Sequence, residues 1–384
     1  MNSKRRIVVI TTGRQDFGIL RSTLVLLREH PSFELLIWAG GMHLSDEHGR
    51  SADLIVSDGF DIDEQLAGIH VPSDVALDVS QMIAATASAI RRNRPDAMLV
   101  VGDRHETLAV GIAATLERVP LIHLHGGEET EGAVDNAFRH ALTKLSHLHL
   151  VSHEIHARRV VQMGEDPSTV HIVGAPGLDN ASRDDLSSRK ELESIFGIEI
   201  VDPIIVVSVH PTTLSDLGIT AEAEAIADAL EAIGGTIVVT LPNADSGGGE
   251  IREFWTEWLS TTPNGVAVPA LGERAYWGLL RIATVVVGNS SSGVIEAPSV
   301  GVPTINVGSR QRGRLKHGNH VVDVAVDHMA IREALCAALA DDQPDRRVRS
   351  RLYPQGAAAP RIVEAITMWD PPQPPTKGFV DSND

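Results

Sequence analysis

Short apolar runs alternate with amphipathic stretches along most of the chain. In the first half, runs rich in Val, Ile and Leu predict β-strands at residues 6–12, 33–40, 96–102, 120–125, 147–152 and 169–174. Continuous apolar runs are typical of parallel strands that helices cover on both faces. The pattern therefore predicts an α/β fold with a parallel sheet.

The same pattern starts again after a polar stretch at residues 176–200. Further apolar runs predict strands at 203–210, 235–240, 265–270, 283–288 and 302–307. We expect a domain boundary in the polar stretch, because few apolar residues there could join either core. The prediction is two doubly wound Rossmann-like domains, residues 1–178 and 200–358. In such folds a ligand binds outside the carboxyl ends of the strands, and we expect it in the cleft between the domains.

The C-terminal region has two parts. Residues 359–370 show the spacing of an amphipathic helix, and residues 371–384 are polar and rich in proline. Segments of that second composition cannot bury enough apolar surface to fold, so we expect a disordered tail.

Length and composition limit the class of protein. A chain of 384 residues exceeds one comfortable core, which supports two domains. The net charge of −18 argues against nucleic-acid binding, which needs a basic surface. The first apolar run is too short for a signal peptide or a membrane span, so we expect no membrane association. The single cysteine, Cys336, excludes a disulfide framework and fits a cytoplasmic protein.

The stretch "VVVGNSSSGVIEAPSVGVP" at residues 285–303 predicts an anion site. A strand runs into Ser290 and Ser291 at a helix N-terminus, where hydroxyls, free amides and the helix dipole suit a diphosphate. Glu296 lies about one turn further on and could bind ribose hydroxyls. Arg310 and Arg314 follow the next strand and suit phosphates. Simple helix capping by the serines and a solvated basic loop are the alternatives.

Acidic residues follow two strands of the first half. Asp103 and Arg104 come after the strand at 96–102, although Asp103 alone could cap a helix. The segment "LIHLHGGEETEGAVD" places Glu128 and Asp135 beside adjacent glycines that allow close approach to a ligand, and Arg139 lies one helical turn further on. Carboxylates that converge from separate loops can act as acid and base.

Strand histidines raise the alternative of a metal hydrolase. Two pairs share one side of their strands: His123 with His125, and His147 with His149. Such pairs are more often structural, and the zincin spacing is absent, so we predict no metal site. In the second half, His210 follows a strand, and Asn243 and Asp245 lie in a glycine-rich turn.

These motifs together resemble the hydrolysing branch of the UDP-N-acetylglucosamine 2-epimerase family, from residue 6 to about residue 369. The matching stretches include "GRQDFGIL", "GDRHETLA", "HLHGGEETEGAVDNAFRHALTKLSHLHLVS", "HPTT", "LPNADSGG", "GNSSSGVIEAP" and "GSRQRGR". The non-hydrolysing branch has a lysine soon after its first motif and a different motif in place of "HPTT". The resemblance implies a glycosyltransferase-B type fold whose C-terminal helix packs back on the N-terminal domain.

The resemblance also implies a reaction without a cofactor. UDP would leave by anti elimination, giving 2-acetamidoglucal, and water addition would yield free N-acetylmannosamine. Asp103, Glu128 and Asp135 would move protons, Arg139 would orient a carboxylate, and His210 would contact the diphosphate or shuttle a proton. The residues expected to bind the UDP sugar are Arg14, Asp16, Arg104, Asn243, Asp245, Ser290, Ser291, Glu296, Arg310 and Arg314.

Several alternatives remain open at this point. The substrate could be another UDP-2-acetamido sugar, such as UDP-2,4-diacetamido-2,4,6-trideoxyglucose. The same fold also serves glycosyltransferases and could serve a sensor of nucleotide sugars. Family members tend to form homodimers or homotetramers through helices of the N-terminal domain, and we expect the same here.

Overall fold

The computed structural model describes residues 4–45, 51–70, 74–131, 134–212, 217–231, 233–242, 247–268, 271–316, 318–340, 349–354 and 356–381. They form two compact units, each built on a parallel sheet. The first unit comprises Met1–Glu128, Asp135–Asp179 and Tyr353–Asp384. The second comprises Glu129–Val134 and Asn180–Leu352. The two parallel α/β units confirm the predicted fold class.

The first sheet has seven parallel strands in the order β3-β2-β1-β4-β5-β6-β7. Their bounds are β1 Arg5–Thr11, β2 Phe33–Gly41, β3 Glu64–Gly68, β4 Ala97–Val101, β5 Leu121–Leu124, β6 Leu148–Val151 and β7 Val170–Ile172. The helices of this unit are α1 Arg14–Glu29, α2 Ala52–Ser57, α3 Val75–Asn93, α4 His105–Leu116, α5 Asp135–Leu145, α6 Glu154–Gln162 and, at the C-terminus, α13 Ala358–Met368.

Strand β1 shows why the first sheet needs helices on both faces. Ile7 and Val9 join a core with α1 and α13, whereas Val8 and Ile10 join a second core with α3 and α4. Successive strand residues point to opposite faces, so an uninterrupted apolar run feeds both cores.

Helix α13 returns to the first unit and is fixed there at both ends. The Asp179 carboxylate accepts hydrogen bonds from the first two amides of the helix, Ala358 and Ala359, each at 2.8 Å. At the other end the Arg5 guanidinium donates to the carbonyls of Ile366 and Trp369 at 2.8 and 2.6 Å. These are the backbone groups that a helix terminus leaves unpaired.

The C-terminal tail, defined here as residues 371–381, makes contacts that its composition did not predict. The Lys377 ammonium donates to three main-chain carbonyls at and just after the end of α5. The Val380 amide donates to the Gly164 carbonyl at 3.0 Å. Polar, proline-rich composition predicts disorder because it supplies little apolar burial, but it takes no account of specific polar contacts such as these.

The second sheet has six parallel strands in the order β10-β9-β8-β11-β12-β13. Their bounds are β8 Ile204–Ser208, β9 Thr236–Thr240, β10 Gly265–Val268, β11 Val285–Gly288, β12 Thr304–Val307 and β13 Val321–Val324. The helices are α7 Arg189–Phe196, α8 Ala221–Leu230, α9 Gly248–Leu259, α10 Gly272–Ile282, α11 Ser291–Ser299 and α12 His328–Leu339. One face is filled by Ile205, Val207, Val285 and Val287 together with residues of α8 and α12.

Two strands have no counterpart among the sequence predictions. Strands β3 and β13 lie at the edges of their sheets and are only partly buried. An edge strand with exposed positions does not need a continuous apolar run, so this signal misses it. Within the described ranges, none of the helices combines the length and apolar character that crossing a bilayer requires.

Candidate active site

Arg139 joins the segments that carry the predicted acid/base residues of the first unit. Its guanidinium forms an ion pair with Asp103, which follows β4. From Nη1 it also donates to the Glu128 carbonyl at 2.9 Å and to Asn136 Oδ1 at 2.7 Å. Arg139 is 1% exposed and lies one turn into α5, the helix that Asp135 begins. One buried side chain therefore fixes the loops after β4 and β5 relative to α5.

The Glu128 carboxylate is held by two donors. His125 Nδ1 lies 2.7 Å from Glu128 Oε1, and the Ser152 hydroxyl donates to the same oxygen at 3.0 Å. Ser152 Oγ also contacts His156 Nδ1 at 2.9 Å. Because the single hydroxyl proton of Ser152 goes to Glu128, His156 Nδ1 must be the donor in that contact. Burial lowers the pKa of His156 to about 4, so this ring is neutral at physiological pH.

The first turn of α4 contains a buried acidic residue beside Arg104. Glu106 is 1% exposed and accepts two hydrogen bonds from the Arg104 guanidinium, at 2.9 and 3.2 Å. Burial would raise the pKa of Glu106, but the charges of Arg104 and His105 lower it. The paired carboxylate fixes the direction of the Arg104 side chain.

The loop after β1 is closed by Asp16. Its Oδ2 accepts from the Thr12 amide at 3.0 Å and from the Thr12 hydroxyl at 2.6 Å, and burial raises its pKa. This pair of bonds spans Arg14, the first residue of α1. The structure thus uses the Asp16 carboxylate within its own loop, and Arg14 lies at the turn that this carboxylate shapes.

Of the four histidines predicted to lie on strands, only His123 and His149 do; His125 follows β5 and His147 precedes β6. All four have protein partners. His123 Nε2 contacts the Gly102 carbonyl at 2.8 Å, and His149 Nε2 contacts Glu165 at 3.0 Å. His147 Nδ1 accepts from the Leu121 amide at 3.3 Å, and His125 pairs with Glu128 as described above. In the described part of the chain, no three His, Cys, Asp or Glu side chains converge in a way that could hold a metal ion.

In the second unit, the serine turn, defined here as residues 288–292, lies at the N-terminus of α11. Ser290 is the N-cap, and its hydroxyl accepts from the Ser292 amide at 3.3 Å. The Ser292 hydroxyl contacts the Tyr276 hydroxyl. Ser290 thus caps the helix, while Ser291 is half-buried at the first position of the helix. Glu296 lies further along α11 and is half-buried too.

Asn289 connects the serine turn to the His210 loop. Its side chain accepts from the His210 amide and donates to the His210 carbonyl, each at 2.7 Å. It also donates to the buried Glu222 at 2.7 Å. Two adjacent strands, β8 and β11, bring the loops together, since Ser208 pairs with Gly288. His210 is thereby held beside the predicted anion site.

The loop after β12 supplies the predicted arginines. Arg310 Nη1 and Gln311 Nε2 both donate to the Asn289 carbonyl, at 3.2 and 2.8 Å. Arg314 is half-buried in the same loop. Asn243 and Asp245, the remaining predicted binding residues, lie outside the described residues.

Some residues that organise these sites were not predicted. The carboxylate of Glu222 is buried and accepts from Thr212 as well as Asn289, although its acidic helix segment would be expected to face solvent. Asn289 lies within the predicted motif, but its side-chain role depends on a loop 79 residues away. Ser152 ends the matching stretch that begins at His123, but it was not singled out, and its position directly after a strand was the available signal.

Two α/β units with polar residues at the carboxyl ends of their parallel strands define the architecture of glycosyltransferase-B type proteins. A family model described as UDP-N-acetylglucosamine 2-epimerase matches residues 26–367. The chain therefore belongs to this family.

Individual relatives agree with that assignment. The chain is 35% identical over 366 residues to a UDP-N,N'-diacetylbacillosamine 2-epimerase (hydrolyzing) from Legionella pneumophila, covering 94% of this chain and 95% of the relative. It is 34% identical over 332 residues to polysialic acid biosynthesis protein P7 from Escherichia coli, covering 85% and 84%. A solved UDP-GlcNAc 2-epimerase from Neisseria meningitidis bound to UDP-GlcNAc has a TM-score of 0.81 at 17% identity, covering 94% and 99%.

Proposed function

We propose that this chain is a hydrolysing 2-epimerase that converts a UDP-2-acetamido sugar and water into UDP and the free C2-inverted sugar. The observation that carries the proposal is the buried Arg139 guanidinium, which binds Asp103 and the Glu128 main chain from the helix that Asp135 begins. It groups carboxylate-bearing segments from separate loops, as proton transfer at adjacent sugar carbons requires.

The reaction proceeds in two stages. A carboxylate removes the C2 proton while the C1–O bond to UDP breaks, leaving a 2-acetamidoglucal with a C1–C2 double bond. Water then adds its oxygen to C1, and a proton returns to C2 on the opposite face. Asp103, Glu128 and Asp135 supply these proton transfers, with Arg139 orienting Asp103. No cofactor enters the balance, because no electrons are exchanged.

The second unit binds the nucleotide and stabilises the charge of the departing diphosphate. Ser290 and Ser291 offer hydroxyls and amides at the positive end of α11. Arg310 and Arg314 supply positive charge from the loop after β12. His210, in the loop after β8, also stabilises the charge of the departing diphosphate. In the proposal Glu296 binds the ribose hydroxyls.

The remaining predicted binding residues complete the proposal. Arg14 and Arg104 contact the substrate from the first unit, and Asp16 acts by shaping the loop around Arg14. Asn243 and Asp245, which follow β9 in the sequence, also bind the UDP sugar in this proposal.

The substrate is UDP-GlcNAc, with UDP-2,4-diacetamido-2,4,6-trideoxyglucose as the second candidate. The second candidate is favoured by the Legionella relative, which is named for the diacetylbacillosamine sugar and is similar over nearly the whole chain. We further infer a cytoplasmic homodimer or homotetramer, which size-exclusion chromatography with light scattering tests.

The test is turnover of each UDP sugar by the purified protein with no acceptor present. We expect UDP and the C2-inverted free sugar to be released in equal amounts. The UDP sugar with the higher kcat/KM is the substrate. Glu128→Gln should lower kcat by about 100-fold or more, while Glu154→Gln, an exposed change on α6, should match the wild type. UDP release that strictly requires an acceptor would identify a glycosyltransferase instead.

A further inference from the structure

The C-terminal tail binds the C-terminal end of α5. Lys377 Nζ donates to the carbonyls of Thr143, Lys144 and Ser146 at 3.0, 2.9 and 2.6 Å. These carbonyls lie at and just after the end of α5, where a helix leaves its last carbonyls without intrahelical partners. An ammonium group there also interacts favourably with the negative end of the helix dipole. The tail therefore supplies a C-terminal cap from 231 or more residues away in sequence.

A buried carboxylate holds the same ammonium in place. Glu165 forms an ion pair with Lys377 at 2.5 Å, and its side chain is 2% exposed. It also accepts from Lys144 at 2.6 Å and from His149 Nε2 at 3.0 Å. A buried carboxylate with charged donors is strongly destabilised when one donor is lost, so the Lys377 position is tightly specified.

The tail is anchored beyond Lys377 as well. The Phe379 ring lies 5.1 Å from the Lys144 ammonium and packs against Gly164, where a side chain would clash with the ring. The Val380 amide donates to the Gly164 carbonyl. These contacts flank the Lys377 site, and they all fall on α5 or on the turn after α6.

The other end of α5 carries the proposed chemistry. Asp135 is the first residue of the 11-residue helix, and Arg139 binds Asp103 one turn later. In the last turn, Thr143 accepts Lys377 at its carbonyl, and its hydroxyl donates to the Arg139 carbonyl at 3.1 Å. A helix of this length is about 16 Å long, and its backbone hydrogen bonds keep it rigid. Fixing the C-terminal end of α5 therefore also fixes the position of Arg139 along the helix axis and the direction of its side chain.

We propose that Lys377 is a positioning residue, which holds α5 so that Arg139 and Asp135 keep the geometry needed for proton transfer. The effect on turnover rests on the proposed function, whereas the effect on the helix does not. A misplacement of about 1 Å can lower a rate by about 100-fold, so a loosened helix is expected to be visible in kcat. Nucleotide binding by the second unit should be unaffected.

The test compares full-length Lys377→Met with Lys377→Arg and with the control Lys190→Met, an exposed change on α7. We expect Lys377→Met to lower kcat by about tenfold or more, with the KM for the UDP sugar and the Kd for UDP within about twofold of wild type. Lys377→Arg restores most of kcat, because it keeps the charge and the donors. A raised KM with unchanged kcat, or equal loss in both Lys377 variants, would overturn the positioning role.

Amide hydrogen exchange supplies a readout that does not depend on turnover. In Lys377→Met, amides of α5 should exchange faster, while those of α8 and α11 in the second unit keep wild-type rates and show that the protein is folded. Phe379→Ser, which removes the ring and no charge, should shift α5 in the same direction by less. Unchanged α5 exchange in both variants rejects this inference, and absence of turnover in the wild type rejects the proposed function alone.

Discussion

The buried guanidinium of Arg139 is paired with the carboxylate of Asp103, 36 residues earlier in the chain. The pair connects α5 to the loop after β4, and the same guanidinium binds the Glu128 carbonyl. A planar group with several fixed donors can hold two partners at once, which an ammonium group cannot do in the same geometry.

Replacing Arg139 should therefore affect the rate more than nucleotide binding. We expect Arg139→Met to lower kcat by about 100-fold or more and Arg139→Lys by a smaller factor, because lysine keeps the charge and loses the fork. Steady-state kinetics together with UDP titration calorimetry checks this, and Arg158→Met, an exposed change on α6, serves as the control. A kcat for Arg139→Met within about threefold of wild type would show that the pair has no role in the reaction.

Replacing Asn289, in contrast to Arg139, should weaken nucleotide binding. Asn289→Ala removes both side-chain bonds to His210 and one donor to the buried Glu222. Leaving buried polar groups without partners costs about 1–3 kcal/mol each, so the Kd for UDP should rise by about tenfold or more. Isothermal titration calorimetry measures it, with Asn264→Ala, an exposed change before β10, as the matched control. Equal UDP affinity in all three proteins would contradict the role of this contact.

Acid should destabilise the fold partly through His43. This ring is buried between the hydroxyls of Thr11 and Ser51, each at 2.8 Å, and burial lowers its pKa to about 4 from 6.5. Between those values the unfolded chain binds more protons, so stability is full above pH 6.5 and falls as the pH drops towards 4, by about 3 kcal/mol for this group.

Urea unfolding between pH 7.5 and 4 checks this contribution. His43→Gln should lose less free energy of unfolding over this range than the wild type, whatever its stability at pH 7.5. His328→Gln, an exposed change at the start of α12, should keep the wild-type pH dependence. The idea fails if the pH dependence of His43→Gln is the same as that of the wild type.

Gly288 should not tolerate a side chain. Its φ is +143°, and a Cβ there would clash with the Ser208 carbonyl oxygen of the neighbouring strand. Gly288→Ala should cost about 3 kcal/mol or more and weaken UDP binding, because the serine turn starts at this residue. In contrast, Gly249→Ala in α9 meets no atom within 4 Å and should stabilise the helix by about 0.5–1 kcal/mol. Thermal unfolding distinguishes the two, and similar melting temperatures would argue against the close approach at Gly288.

The hydrophobic pattern of the sequence predicted both sheets but missed two of their edge strands, β3 and β13. Strands such as β1 are buried on both faces, so their burial shows as an uninterrupted apolar run. Strand β13 is exposed at intervals and gives no such signal. The order of the tail could not be predicted locally either, because Lys377 binds carbonyls that are far away in the chain.

The candidate site divides in the same way. The strand ends in the sequence predicted Asp103, Glu128 and the serine turn as site residues, because parallel strands bring their carboxyl ends to one edge of a sheet. The partners of those residues were harder to predict. Glu222 lies in an acidic helix, and its buried carboxylate accepts hydrogen bonds from Asn289 and Thr212, which are tertiary contacts that no local pattern contains.

The central claim is that carboxylates of the first unit remove the proton at C2 of the sugar. NMR of the reaction in deuterium oxide, with the UDP sugar that is turned over faster, tests it most directly. The account predicts a released sugar with inverted configuration and one deuterium at C2. A released sugar that keeps its original hydrogen at C2 would contradict it.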